Sequence, residues 1–324
     1  MRIPLVLSLT ALLLPSAVRS ADYQIAVIPK GTTHEYWKSI NAGAVKAQRE
    51  LKAAGTNVTI IWKGPLVEDD REQQIQVVEN FVGRNISAIV LAPLDNKALV
   101  APVEDAVKAG IPVIVIDSGL KSTMPSSTVA TDNRKGGQIG AHRLGTLLGG
   151  RGRVLMLRYE VGSASTEERE AGFLEVMKSD FPGIELISTD QYGGATTETA
   201  YKAAQNLLNR FGERTDGIFA PNESTAMGML LAIREQGLAG KVRFVGFDAN
   251  EQLVKALRQG DIQGLVVQDP MKMGYLGVMT AVAVLRHEKV AESIDTGVGL
   301  VTTDNMDEPA VAALINPPLA EYLK

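Results

Sequence analysis

The chain has 324 residues, 45% hydrophobic and 22% charged, with 33 basic against 37 acidic side chains. That balance is ordinary for a globular protein and leaves no room for a long disordered region, and the length suits two domains better than one core. There is no cysteine, which excludes a disulfide framework, a thiol nucleophile and a lipoprotein anchor.

Residues 1–20 stand apart: Met1-Arg2, an apolar run over 3–14, then Pro15-Ser16-Ala17-Val18-Arg19-Ser20. A basic start, a short apolar core and a small-residue exit form a secretory signal, with cleavage expected before Ala21. The run is shorter than the roughly 20 residues a membrane span needs. The mature chain is expected to be exported and periplasmic, with 31 basic against 37 acidic residues and a net charge of −6. Nucleic acid is therefore not an expected partner.

In chain order, residues 23–28 form a short apolar strand, and 33–51 show helical spacing with Trp37, Ile40, Ala44, Ala47 and Leu51 on one stripe. A second strand spans 57–62, and Asp69 or Asp70 caps a helix running to Phe81. A strand at 86–92, a helix at 95–109 and a strand at 111–117 follow. Strand and helix alternate, which predicts an α/β fold with a parallel sheet covered on both faces.

The second half repeats the plan: strand 153–157, helix 166–179, strand 185–188, helix 196–208, strand 217–220, helix 224–236 and the strand-end stretch Phe244-Val245-Gly246-Phe247-Asp248. Ala42-Gly43 matches Ala171-Gly172 at an offset of 129, Ala92-Pro93 matches Ala220-Pro221 at 128, and Asp117 matches Asp248 at 131. The ordered set argues for two lobes of one topology. Two such sheets bring their strand ends and helix N-termini to one cleft.

Catalytic motifs are absent. His34, His142 and His287 lie far apart, and there is no H-E-x-x-H, phosphate loop, dinucleotide-binding glycine pattern or nucleophile elbow. The cluster Gly149-Gly150-Arg151-Gly152 precedes a strand, as a turn does. No enzyme activity, cofactor or metal is expected.

The residues carry a resemblance to a known family. Tyr36-Trp37 before Ala42-Gly43, Ile116-Asp117, Glu168-Arg169 to Gly172-Phe173, Phe219-Ala220-Pro221-Asn222-Glu223, Val245-Gly246-Phe247-Asp248 and Gln268 ahead of Gly274 resemble periplasmic sugar-binding proteins of the ribose-binding type, over residues 22–302. The resemblance implies two lobes joined by a three-strand hinge, with crossings near Thr131-Asp132, Gln268-Asp269 and Gly297 to Leu300. It assigns 22–131 and 269–298 to lobe 1, and 132–268 and 299–324 to lobe 2.

It also implies site roles. Tyr36 and Trp37 take the places of ring-stacking aromatics, Asp117 and Asp248 those of hydroxyl-binding carboxylates, and Asn222 and Gln268 those of amide partners, with Phe247 and Tyr192 completing the walls. A sugar ring needs flat apolar plates and charged acceptors around its rim, so these residue types fit. Where ribose binders carry two arginines this chain has Ser118 and Glu167, and Lys30 and His34 replace small or amide residues. Ribose is therefore not expected; a larger or cyclic polyol or an amino sugar is, since Glu167 can accept from hydroxyl or ammonium.

The function expected is capture of a sugar or polyol, as a monomer, for delivery to the membrane permease of an ABC importer. The alternative is a sensor presenting its ligand to a receptor kinase or chemoreceptor. A DNA-binding repressor on the same core would need a helix-turn-helix before the first strand, where a 21-residue stretch and an export signal leave no place for one.

Overall fold

A computed structural model describes residues 22–323; the leader expected at 1–20 lies outside the described residues. The first half runs β1 (Asp22–Ile28), α1 (Glu35–Ala53), β2 (Asn57–Trp62), α2 (Arg71–Gly83), β3 (Ala88–Leu91), α3 (Val100–Lys108), β4 (Val113–Ile116), β5 (Ser127–Ala130). There follow α4 (Asn133–Leu147), β6 (Gly152–Arg158), α5 (Ala164–Ser179), β7 (Ile184–Tyr192), α6 (Thr197–Phe211), β8 (Gly217–Phe219), α7 (Glu223–Glu235), β9 (Arg243–Phe247), α8 (Glu251–Gln259) and β10 (Gly264–Gln268). The chain ends with α9 (Pro270–Leu285), β11 (Ser293–Asp295), β12 (Val298–Val301), α10 (Pro309–Ile315) and α11 (Leu319–Tyr322).

Two six-stranded sheets result, ordered β11-β5-β4-β3-β1-β2 and β12-β10-β9-β8-β6-β7. The first is parallel throughout; the second is parallel except for edge strand β12, which runs antiparallel to β10. The central strands β3 and β4 are buried along their whole length, as near-continuous Val/Ile/Leu runs require when helices cover both faces. The α1 stripe from Trp37 to Leu51 is buried against that sheet. Asp70 caps α2, its carboxylate accepting from Gln73 N at 2.9 Å. Helix α3 starts at Val100 and not at 95, because Asp95 Oδ1 accepts from Lys97 N and Ala98 N at 2.8 and 2.9 Å and folds that segment into a side-chain turn.

Three crossings join the lobes, between β5 and α4, between β10 and α9, and between β11 and β12. The first two open helices in the same way: Asp132 accepts from Lys135 N at 2.9 Å, and Asp269 from Lys272 N at 2.8 Å. Helix α4 packs against α5 so closely that a Cβ on Gly137 would lie 1.9 Å from Arg169 O, and one on Gly172 2.1 Å from Arg134 O. Its partner by symmetry, α9, meets α1 likewise at Gly274 and Gly43. The Ala-Gly pairs repeated at an offset of 129 thus mark equivalent helix crossings.

The tail divides between the lobes. Met306 and Ile315 are buried in the second lobe's core, with Val311 and Leu314 packed on it. Residues 319–322 leave that lobe, to which 299–324 were assigned, and lie on α1 of the first. There Arg49 donates to Glu321 O at 2.7 Å and stacks over the Tyr322 ring at 5.2 Å.

Candidate functional site

The ends of β4 and β9 define the cleft. Asp117 and Asp248, the residues directly after them, have φ of 65° and 66°, a left-handed conformation that aspartate tolerates better than most side chains. Each turns its carboxylate out of the sheet into the space between the lobes. Around them Lys30, His34, Tyr36, Trp37 and Glu68 of the first lobe face Tyr159, Ser163, Ser165, Thr166, Arg169, Asn222, Glu223 and Gln268. The space around them, counted out to its opening to solvent, is about 330 Å³.

On the first lobe, Asp117 Oδ1 accepts from the Tyr36 hydroxyl at 2.8 Å. Its Oδ2 pairs with Lys30 Nζ at 2.9 Å but receives no aligned hydrogen bond, so it keeps acceptor capacity. Trp37 Nε1 donates to Glu68 Oε1 at 2.7 Å, and His34 Nδ1 reaches the same oxygen at 2.6 Å. Burial opposes a charge on His34, yet the Glu68 hydrogen bond and charge outweigh it and raise its pKa. Burial likewise opposes ionisation of Glu68, and His34 in turn holds that carboxyl below its ordinary value.

On the second lobe, Asp248 Oδ1 accepts from Gln268 Nε2 at 2.7 Å and Oδ2 from Glu223 N at 3.1 Å. Arg169 approaches Oδ2 at 3.8 Å, held by bonds from Nε to Asn133 Oδ1 at 2.8 Å and from Nη1 to Pro221 O at 2.9 Å. Burial raises the pKa of Asp248, with Arg169 pulling the other way. Gln268 Oε1 is buried without a hydrogen-bond partner, a group that a ligand hydroxyl would satisfy. Asn222 caps α7, accepting from Thr225 N at 3.3 Å, which aims the helix N-terminus at the cleft.

Eight of the twelve residues singled out from the sequence meet here: Lys30, His34, Tyr36, Trp37, Asp117, Asn222, Asp248 and Gln268. Four do not line the cavity. Phe247 is fully buried, its ring stacked 3.9 Å beneath the Arg169 guanidinium, so it supports the arginine and offers no wall. Tyr192 is 44% exposed, because β7 is an edge strand whose end lies at the margin of the sheet, away from the central strands. Ser118 sits below the cavity and accepts from Ser165 N at 3.0 Å. Glu167 is a first-turn acid of α5 that accepts from Gly162 N at 2.8 Å and from Asn96 Nδ2 at 3.4 Å, which removes the basis for an amino-sugar ligand.

Glu68, Tyr159, Ser163, Ser165, Thr166, Arg169 and Glu223 were missed. Arg169 and Glu223 lie inside motifs already singled out, and Arg169 supplies a fork-shaped donor that the sequence comparison with ribose binders counted as lost. Glu68 and Tyr159 follow β2 and β6, so their position beyond strand ends was the available signal.

Known proteins share this fold. A model of the periplasmic binding protein domain matches residues 25–289. The D-ribose/D-allose-binding protein of Pseudomonas aeruginosa is 29% identical over 86% of this chain and 88% of its own. The D-allose-binding periplasmic protein of Escherichia coli is 30% identical over 85% and 88%. Among solved structures, a carbohydrate transporter solute-binding protein of Agrobacterium radiobacter in complex with D-arabinose superposes with a TM-score of 0.85 at 38% identity, covering 91% of this chain and 99% of that one. An ABC transporter solute-binding protein of Agrobacterium vitis with bound D-fucose gives 0.86 at 34%, covering 90% and 100%. With its two α/β lobes and a polar cavity between them, the chain belongs to the periplasmic binding protein family, as a type I member of the ribose-binding type.

Proposed function

We propose that this protein captures one neutral monosaccharide between its lobes and delivers it to the membrane permease of an ABC importer. The observation that carries the reading is the pair Asp117 and Asp248, presented by the same left-handed turn from opposite lobes into one cavity. Both keep acceptor capacity in a site that also holds amide and guanidinium donors, which suits a hydroxyl-rich ring. Trp37 supplies the flat apolar plate, its orientation set by Glu68.

The relatives' ligands point the same way, toward pentoses and hexoses. We place the mature protein in the periplasm as a monomer, supported by the family and by the leader pattern; binding and release, without turnover, complete its task. The test is a thermal-shift panel of D-arabinose, D-fucose, D-allose, D-tagatose, myo-inositol and D-ribose, followed by calorimetry. A sugar at about 100 times its dissociation constant adds about 2.7 kcal/mol of stability. At least one member should raise the midpoint, with D-ribose the arm expected to fail because Ser118 offers the cavity no donor. In the same calorimetry, Asp248→Ala should weaken the best sugar tenfold or more, about 1.4 kcal/mol. A panel without any stabiliser would overturn the saccharide reading.

A further inference from the structure

The loop 159–163 of the second lobe is bound by the first lobe through contacts that need no ligand. The Tyr159 hydroxyl donates to Glu68 Oε2 at 2.7 Å, Arg71 Nη2 to Val161 O at 3.0 Å, Asn96 N to Gly162 O at 2.9 Å, and Lys30 Nζ to Ser163 Oγ at 3.3 Å. The receiving surface is preformed by the first lobe's own bonds. Glu68 is fixed by Trp37 and His34, while the Asp95 carboxylate is held by Lys97 N and Ala98 N on one oxygen and by Arg71 Nε at 3.2 Å on the other. Gly162 is inserted against it with φ of +97°, and a Cβ there would lie 2.3 Å from Asp95 Oδ2. Preorganised partners lose little freedom on joining, so such contacts favour closure by themselves.

We propose that the loop 159–163 is a latch which fastens the second lobe to Glu68, Arg71 and Asn96 and holds a closed population before any sugar arrives. The inference rests on the cleft being a closing binding site, not on which ligand fills it. Arg71 and Val161 lie outside the cavity lining, so they act on closure and not on sugar recognition. A latch of this kind raises apparent affinity by enlarging the competent fraction, and it slows release.

The chain has no cysteine, so a labelled pair can be introduced cleanly. Glu79 on α2 and Asn206 on α6 are exposed, and the two helices start at Arg71 and near Thr199, which border one surface depression at the cleft mouth. Spin labels on Glu79→Cys and Asn206→Cys would report opening by pulsed dipolar distance measurement, on protein stripped of sugar by unfolding and refolding. The expected distribution has a populated short distance. Arg71→Ala should lower the ratio of short to long about fivefold, and Gly162→Ala should remove the short distance altogether. Circular dichroism melting checks folding; if Gly162→Ala fails to fold, the exposed Arg71 position carries the test. A single long distance in the sugar-free parent, or a short fraction unmoved by Arg71→Ala, overturns the latch. No sugar is present, so failure of the sugar panel and failure of the latch are separate results.

Discussion

Glu68 joins three side chains of the site across both lobes. Its two oxygens take Trp37, His34 and Tyr159, so one carboxylate orients the Trp37 indole and ties the second lobe to the first. His34 has a raised pKa when folded, so its contribution is complete below about 6.5 and lost as pH rises through the folded value; Glu68 has a lowered one, so its contribution is complete above about 4.5 and lost on acidification. The pair therefore stabilises most between those limits. Melting profiles against pH should show His34→Gln losing about 1 kcal/mol within that window and little at pH 9; an equal loss at both pH values would show that the pair does not act through charge. Asp117 and Asp248 were legible because they end apolar strands at matched offsets. Glu68 was not, since it lies in a loop some way past the end of β2 and has no matched counterpart in the other half.

At the scale of elements, the alternation of strand and helix was legible through β4 and again from β6 to β9, because continuous apolar runs and 3.6-residue stripes carry their own signal. Helix α4 was not. It contains Gly136, Gly137, Gly140 and Gly145, a composition that argues against a helix when propensity alone is weighed. The glycines are there for packing: Gly140 lies under Phe219 and Gly137 under the Arg169 backbone, and tertiary contact outweighs their intrinsic cost. Gly137→Ala should improve helix propensity yet destabilise the protein by about 1–3 kcal/mol, because its Cβ meets a backbone oxygen that cannot move alone. Urea denaturation decides the sign. A stabilised variant would mean that α4 and α5 are free to separate. Since Arg169 sits at that crossing, the same variant should also weaken sugar binding.

For the whole molecule, the two-lobe plan was legible from the offsets, because each half carries its own run of strand ends and helix crossings. The tail was not, because its two short helices serve different lobes and neither carries a stripe long enough to read. Their weights differ. Ile315 is buried in the second core, so Ile315→Ala should cost about 2–5 kcal/mol. Arg49→Ala removes only exposed contacts to α11 and should cost less than about 1 kcal/mol. Paired denaturation curves would show this ordering; the reverse would make the first-lobe contact the anchor of the tail.

The exchange of α4 and α9 between lobes also has a consequence for the order in which the molecule is made. The first lobe's core contains Met273, Val278, Ala281 and Val282, and its sheet ends in β11; the second lobe needs Val301, Met306 and Ile315. During synthesis the N-terminal lobe has a gap in its interior until most of the other lobe has emerged, and both cores are completed only by residues that follow Gln268, which runs against the usual N-terminal-first order. A chain built this way cannot lock early, and it stays threadable for longer than one made of two contiguous domains.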